Sequence, residues 1–404
     1  MPLTFFAVLP RGVDNLAVEE LRGLGAAEVR ATAGGVSFAG DLTVAYRVLL
    51  WSRLASRLLM PLWRVDARSS HVFYDAVRAL PWEAVLRRGA TFAVDARARG
   101  DRAVHTHFVA LRTKDAVVDR LRERWGERPD VDVDHPALRL HVLLDSGRAE
   151  KPATAQISLD LSGEPLHRRG YRGAGGPAPL KENVAAALLL RAGWPAIVAG
   201  GGGFSDPMCG AGTLLIEAAL IATDAAPGLL RSGDAASFGL RGWRGHDRRL
   251  WESVRAEAER RWQAGRRRLP PMAGSDRDAA ALERARTSLA VAGIEGVVLE
   301  RADVGEVRPP RGTETGLVAA NAPYGHRIGG AGDLPGVYRR LGEALKARFE
   351  SWRLALLTAD AALAGEVRMR PSRRNALWNG PIRCELLQYE IGRGAIPGRE
   401  APAD

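Results

Sequence analysis

The chain reads as an α+β first part followed by an α/β domain whose sheet carries helices on both faces. Three observations lead there. From about residue 203 onward, short apolar runs alternate one for one with helix-length segments, which is the rhythm of a mostly parallel sheet. Up to about residue 165, alternating strand-like runs and amphipathic helices occur without that rhythm. Between the two lies "EPLHRRGYRGAGGPAPLKEN" (164–183), rich in Gly, Pro and positive charge, which reads as a linker.

Taken in order, "LTFFAVLP" (3–10) predicts a strand, and "VDNLAVEELRGLG" (13–25) a helix closed by Gly23 or Gly25. "GGVSFAG" (34–40) is a strand, "LTVAYRVLLWSRLASRLLM" (42–60) a helical pattern, and "PLWRVDA" (61–67) a strand. "SHVFYDAVRALPWEAVL" (70–86) reads as a helix broken at Pro81, and "TFAVDARARG" (91–100) alternates as a strand does. "VALRTKDAVVDRLRERWG" (109–126) is an amphipathic helix, followed by two strands in "LRLHVLLDSG" (138–147) and "ATAQISLDLSG" (153–163). After the linker, "VAAALLLRAGW" is a helix. The second half then gives strands in "GFSDP", "PMAGSD", "GVVLERAD", "GLVAANAP" and "RLALLTAD". Helices fall in "AGTLLIEAALIATD", "DAAALERARTSLAVAG" and "PGVYRRLGEALKARF".

At 404 residues the chain is long enough for two or three domains. No run of about 18 apolar residues is present, so no membrane span is expected. "MPLTFFAVLPRG" lacks the basic lead of a secretion signal, and a cytoplasmic setting is expected. Two cysteines, Cys209 and Cys384, cannot build a disulfide framework, and the eight histidines show no metal spacing, so no metal is expected. The net charge is +11, which favours an anionic partner, nucleic acid first. Arginine outnumbers lysine 54 to 4, as a GC-rich genome would produce, but that bias does not explain the excess of bases over acids. The segment 241–268 holds ten arginines against four acids, with Trp243, Trp251 and Trp262 between them. It reads either as a solvated helix anchored by its tryptophans or as an RNA contact.

In open α/β sheets ligands bind at the carboxyl ends of the strands. Four such ends stand out. The first is "DPMCGAGT", where Asp206 precedes Cys209, Gly210, Ala211, Gly212 and Thr213. Its glycines permit a tight turn and close approach of a ligand. A dinucleotide fingerprint would need a third glycine where Leu215 stands, which disfavours a dehydrogenase. Asp276 ends the second strand, where a carboxylate can take both hydroxyls of a ribose. Asp303 ends the third and could accept from an adenine amine. The fourth strand closes on Asn321, Ala322, Pro323 and Tyr324 in "NAPYGHR". Alone that stretch is a turn, and each aspartate alone is a helix cap. Their order on successive strands is what chance does not readily supply.

These residues resemble the class I S-adenosylmethionine-dependent methyltransferases, in the amine-methylating group with an (Asn/Asp)-Pro-Pro-Tyr motif. "DPMCGAGTLLIEAA", "GSDRD…ARTSLAVAGI" and "NAPYGHR" are similar to the RNA guanine-N2 methyltransferases that carry a THUMP domain. "GGVSFAGDLTVAYRVLLWSRLASRLLMPL", "ISLDLSGEPLHRRGYR" and "APLKEN" resemble the bacterial 23S rRNA guanine-N2 methyltransferases, which in many bacteria are fused to a second methyltransferase. The likeness runs from about residue 3 to about 391. It implies a Rossmann-like, seven-stranded methyltransferase domain at 183–393. Before it would come a ferredoxin-like domain (1–50), an RNA-binding THUMP domain (51–165) and a linker (166–182); a loose tail (394–404) would follow. It implies S-adenosylmethionine as cofactor, held by Asp206, the loop Cys209 to Thr213, Asp276, Asp303 and Asn321, and 23S rRNA as partner. Leu180, Lys181 and Glu182 would border the cofactor's methionine end, or simply start a helix. Cys209 is expected to be a packed small residue rather than a nucleophile. Oligomeric state is not specified.

The resemblance also implies a mechanism. A guanine amine is a poor nucleophile, so it must be fixed with its lone pair aimed at the methyl. The Asn321 side-chain oxygen and the carbonyl of residue 322 would accept its two N–H bonds, while Tyr324 stacks on the base. Pro323 would shape the loop. Residue 322 is alanine where the family has proline, which predicts a less rigid loop. A methyltransferase for tRNA guanine or DNA adenine, and a non-catalytic assembly factor, remain as alternatives.

Overall fold

A computed structural model describes residues 2–101, 105–147, 152–172, 180–233, 238–323 and 333–392. The chain forms two compact units. Met1–Leu9, Ala17–Gly170 and Ala226–Glu259 make the first; Pro10–Leu16, Tyr171–Ala225 and Arg260–Asp404 make the second.

The first unit contains β1 (Leu3–Val8), α1 (Asp14–Gly23), β2 (Ala27–Thr32), β3 (Gly35–Gly40), α2 (Leu42–Trp51), β4 (Arg57–Asp66) and α3 (Ser70–Arg78). β5 (Phe92–Arg99), α4 (Thr106–Trp125), β6 (Leu138–Asp145) and β7 (Thr154–Asp160) complete its sheet and main helices. The sheet order is β2-β3-β1-β4-β7-β6-β5, antiparallel except for the β5–β6 pair. The helix expected over 42–60 stops at Trp51, and β4 starts at Arg57. Leu58, Leu59 and Met60 are buried in the middle of the sheet, where a continuous apolar run cannot be told from a helix by periodicity. β2 was not expected: it is an edge strand exposed along most of its length, so it carries no alternation to read.

The segment Ala226–Glu259 packs with this first unit, although the sequence places it inside the stretch 183–393. Tryptophans anchor it. Trp243 and Trp251 are buried, and Trp251 meets Tyr46 edge-on at 5.3 Å. The Tyr46 hydroxyl lies 2.8 Å from His246 Nδ1 and accepts the Asp247 N–H at 2.9 Å. The Arg87 N–H donates to the Gly242 carbonyl.

The second unit holds α5 (Glu182–Arg191), α6 (Trp194–Ala199), β8 (Gly203–Asp206) and α7 (Thr213–Ala222). After α8 (Arg248–Gly265), which spans both units, come β9 (Met272–Asp276), α9 (Ala279–Val291), β10 (Val297–Arg301) and β11 (Gly316–Asn321). α10 (Leu334–Arg348), β12 (Trp352–Thr358), α11 (Ala361–Gly365), β13 (Arg373–Asn379) and β14 (Ile382–Glu390) close it. Its seven strands run β10-β9-β8-β11-β12-β14-β13, parallel through β12, with β14 and β13 added as an antiparallel hairpin. This is the Rossmann-like methyltransferase architecture that the resemblance implies. The chain lays β8, β9 and β10 outward in one direction, then returns to place β11 on the other side of β8. Strand order therefore reverses between β8 and β11, the place where such sheets open a crevice at their carboxyl ends. A core of Val318, Ala320, Tyr338, Leu341, Leu354 and Leu356 holds α10 against β11 and β12. No helix among the described residues is long and apolar enough to cross a membrane.

Candidate active site

The register of the parallel strands brings Asp206, Asp276, Asp303 and Asn321 to one edge of the sheet. Ser205 pairs with Val318 on one side and Ala273 on the other, and Arg301 pairs with Asp276.

The glycine loop after β8 is internally complete. Gly210 and Gly212 have φ of +54° and +81°, the left-handed region that costs other residues energy. A Cβ on Gly212 would stand 3.3 Å from Ala285 of α9, so the glycine also lets the loop close on that helix. A Cβ on Gly210 would meet nothing within 4 Å; that side of the loop is open, as approach by a ligand requires. The loop is tied by Gly212 N–H to the Cys209 carbonyl (2.8 Å) and Cys209 N–H to the Ser275 carbonyl (2.9 Å). Ala211 lies between the two glycines. Leu215, where a dinucleotide fold would have glycine, is buried, and a Cβ on Gly274 would come within 2.5 Å of its Cδ1. Cys209 is buried, and burial next to Asp206 pushes its thiol up, so the thiolate a nucleophile needs is disfavoured.

The aspartates do more than their strand ends suggested. Asp206 is 1% exposed and accepts the Met208 N–H at 3.2 Å. Burial, with the Asp276 charge adding, pushes its carboxyl up to about 8. Asp276 accepts the Gly210 N–H on Oδ2 (2.9 Å) and the Asp278 N–H on Oδ1 (3.0 Å), so it anchors the glycine loop to β9. Each oxygen keeps a lone pair, enough for a diol. Asp303 lies two residues beyond β10. Its Oδ1 accepts from the Gly305 N–H (2.9 Å) and from Arg340 Nε (3.0 Å), which hold its carboxyl below the usual range. Among the described residues its Oδ2 has only a long contact, 3.5 Å, from Arg340 Nη2.

Asn321 differs. It is the last residue of β11, and its Oδ1 is buried with no hydrogen-bond partner among the described residues. Such an acceptor costs stability unless something fills it. The next two residues are fixed from outside. The Ala322 N–H donates to the Leu357 carbonyl at 3.1 Å, extending the ladder to β12. A proline here could not make that bond, so alanine exchanges ring stiffness for a backbone tie, worth about 0.5–1.5 kcal/mol. The Pro323 carbonyl accepts from the Tyr338 hydroxyl at 3.0 Å, and that hydroxyl also meets Thr358 Oγ1 at 2.9 Å. The reduced rigidity expected from Ala322 is thus offset by Leu357 and Tyr338. Tyr324 lies outside the described residues.

Sequence reading missed Tyr338, Thr358, Arg340 and Arg172. Arg172 Nη2 donates to Thr213 Oγ1 and to the Leu180 carbonyl, each at 2.7 Å, which places Leu180 and the start of α5 beside the glycine loop. The only advance signal was Tyr338 at a buried helix position, where a hydroxyl must find a partner.

The open loop, the aspartates with spare lone pairs and the orphaned Asn321 oxygen fit an adenosyl cofactor and an amine beside it. Comparison with known proteins identifies the family. Residues 169–388 match the family model described as "RMKL-like, methyltransferase domain", residues 67–150 match the THUMP domain, and residues 4–59 match the RlmL ferredoxin-like domain. A relative named ribosomal RNA large subunit methyltransferase K/L, from Syntrophotalea carbinolica, is 45% identical over 99% of this chain and 55% of its own length. The chain spans about half the length of the curated relatives it matches. SMU.472, crystallised with S-adenosylhomocysteine, has a TM-score of 0.81 at 27% identity, covering 98% of this chain and 99% of that one. A predicted N6-adenine-specific DNA methylase from Listeria monocytogenes gives 0.81 at 28% identity, with 96% of each chain covered.

Proposed function

This chain belongs to the RMKL-like methyltransferase family, whose cofactor is S-adenosylmethionine, and on that premise we propose that it methylates the exocyclic N2 amine of a guanine in 23S ribosomal RNA. The observation that carries the amine is the buried Asn321 Oδ1 at the end of β11, which has no hydrogen-bond partner among the described residues. Ribosomal RNA is favoured by the names of the relatives, the THUMP match and the net charge of +11.

When bound, the cofactor supplies a methyl made electrophilic by its sulfonium. The protein's own work is positioning. Gly210 leaves room over the loop, Asp276 offers lone pairs to the ribose diol, and Asp303 Oδ2 offers one to the adenine amine. Asn321 Oδ1 accepts one N–H of the guanine amine and the Ala322 carbonyl the other. With both N–H bonds directed, the nitrogen lone pair turns away from the ring and toward the methyl. The amine's lost proton needs no dedicated base, since the methylated nitrogen is acidic enough to lose it to water. Fixed dipoles and orientation then account for the acceleration.

The test is incubation of purified protein with methyl-labelled cofactor and separated ribosomal RNAs and tRNAs, followed by nucleoside digestion. Label in N2-methylguanosine from 23S rRNA is expected. Label in tRNA, or in N6-methyladenosine as the Listeria relative's name would suggest, would overturn the substrate assignment while keeping the enzyme class. Cofactor binding without transfer to any RNA would favour an assembly factor.

A further inference from the structure

The β13–β14 hairpin is longer than the sheet it joins. β14 pairs with β12 from Arg353↔Glu390 to Thr358↔Glu385. Beyond that row Leu377–Asn379 pair with Ile382–Cys384 and with no other described strand. Asn321, Leu357, Leu386 and Asn375 form one row across β11, β12, β14 and β13. The Trp378–Arg383 pair lies three rows further out on the carboxyl side. Strand geometry puts it about 10 Å beyond Asn321 and, with β14 two strands from β11, about 10 Å to its side. The hairpin tip therefore overhangs the edge where Asn321 stands, within reach of a strand that flanks an extruded base. Its charge is one-sided. Residues 368–390 hold five arginines against two glutamates. Glu390 pairs with Arg353, and Glu385, which shares a face with Arg383 by alternation, pairs with Arg374. Arg383 is exposed and has no ion pair among the described residues. Its guanidinium carbon stands 6.0 Å from the centroid of the partly buried Trp378 ring. A ring in that place steadies the side chain and leaves its N–H bonds facing outward. A steadied arginine with no acid answering it is suited to a backbone phosphate.

We propose that the hairpin tip is a post for the RNA strand flanking the target guanine, with Arg383 taking a backbone phosphate and Trp378 holding Arg383 in place. The inference rests on the RNA methyltransferase reading and deepens it. A phosphate contact carries no base information, so the post sets where the strand lies and not which base is chosen. Arg383 is thus a positioning residue: it acts on RNA affinity and leaves the methyl-transfer step to the groups at the end of β11.

The test is filter binding of 23S rRNA to wild type and Arg383→Gln from about 50 to about 200 mM KCl, with S-adenosylhomocysteine present. Loss of one phosphate contact should reduce the slope of log K against log salt by about 0.7–0.9. Binding at the lower salt should weaken by about 3- to 10-fold. In methyl transfer, KM for the RNA should rise by a similar factor while kcat stays within about 2-fold. Arg383→Lys should restore the slope, and Trp378→Leu should weaken binding with the slope kept, because the charge remains. Calorimetric affinity for S-adenosylhomocysteine equal to wild type shows that a variant is folded. Should Arg383→Gln fail to fold, Arg383→Met replaces it, keeping the stem on the Trp378 ring and removing the charge. An unaltered slope in the folded variant overturns the post, even with a raised KM, since a structural role weakens binding without changing how many phosphates are neutralised. The reading of the reaction fails separately. No transfer to 23S rRNA by the wild type, with the slope difference intact, faults the proposed reaction and keeps the RNA contact. A wild type that binds no RNA overturns both.

Discussion

The two sides of the strand-order reversal are finished to different degrees. At the β8–β9 side the loop is bonded before any ligand arrives: Asp276 holds Gly210, Ser275 holds Cys209, and Cys209 holds Gly212. At the β11 side the flanking backbone is pinned, by Leu357 and Tyr338, yet the Asn321 oxygen between the strand and those pins is left without a partner among the described residues. The first side is a rigid seat. On the proposed function, the second is a positioned acceptor whose partner comes with the substrate, its desolvation already present in the free protein. That is how electrostatic preorganisation looks before the substrate is bound.

Asn321→Ala breaks the contrast most directly. Loss of one oriented acceptor should lower kcat by about 10²- to 10³-fold. Calorimetric affinity for S-adenosylhomocysteine should stay within about 3-fold of wild type; equal losses in both would place Asn321 in the seat instead. Tyr338→Phe should follow, since it frees the Pro323 carbonyl while keeping the ring in the core. A drop in kcat of about 10-fold is expected, from about one hydrogen bond, with cofactor affinity preserved. If thermal stability falls but kcat does not, Tyr338 is structural only.

Asp206 tests the seat through pH. Its folded carboxyl titrates near 8 against an ordinary 3.8, so the folded state holds a proton that the unfolded state has released between those values. The sign follows from linkage: stability is fully present below about 4, declines as pH rises, and levels off above about 8. Asp206→Asn should flatten this, so that its Tm gains on the wild type between pH 5 and 8.5, by roughly 2–4 °C per kcal/mol removed. Parallel melting curves for the two proteins would show that Asp206 stays ionised. The smallest effect belongs to Ala322→Pro. The lost Leu357 bond and the gained ring stiffness oppose each other, so chemical denaturation should shift by less than about 1 kcal/mol. A larger loss would make the ladder bond the dominant constraint on this loop.

Much of the second unit was readable because its central strands are short, continuously apolar and bounded by turns. Phe204, Met272, Leu317 to Ala320, and Leu354 to Leu357 are all buried, as parallel strands covered on both faces require. The β13–β14 hairpin was not read. Arg373, Arg374 and Arg383 are exposed, and the strands pair with each other and with β12 at the sheet's margin, where half-buried patterns blur. The aspartates and Asn321 were visible as residue types at strand ends, but their partners were not. Tyr338 follows Pro323 by fifteen residues and Arg172 precedes Thr213 by forty-one, separations over which no periodicity carries information.

Residue order alone determined the α/β alternation, the four strand ends and the identity of the groups standing at them, because burial periodicity and turn chemistry are local. Only the tertiary structure decided which oxygens are already occupied and which has no partner among the described residues. It also decided that Trp243 and Trp251 serve the first unit and that Ala322 is held by Leu357. Those outcomes depend on distances between segments far apart in the chain, which packing alone sets.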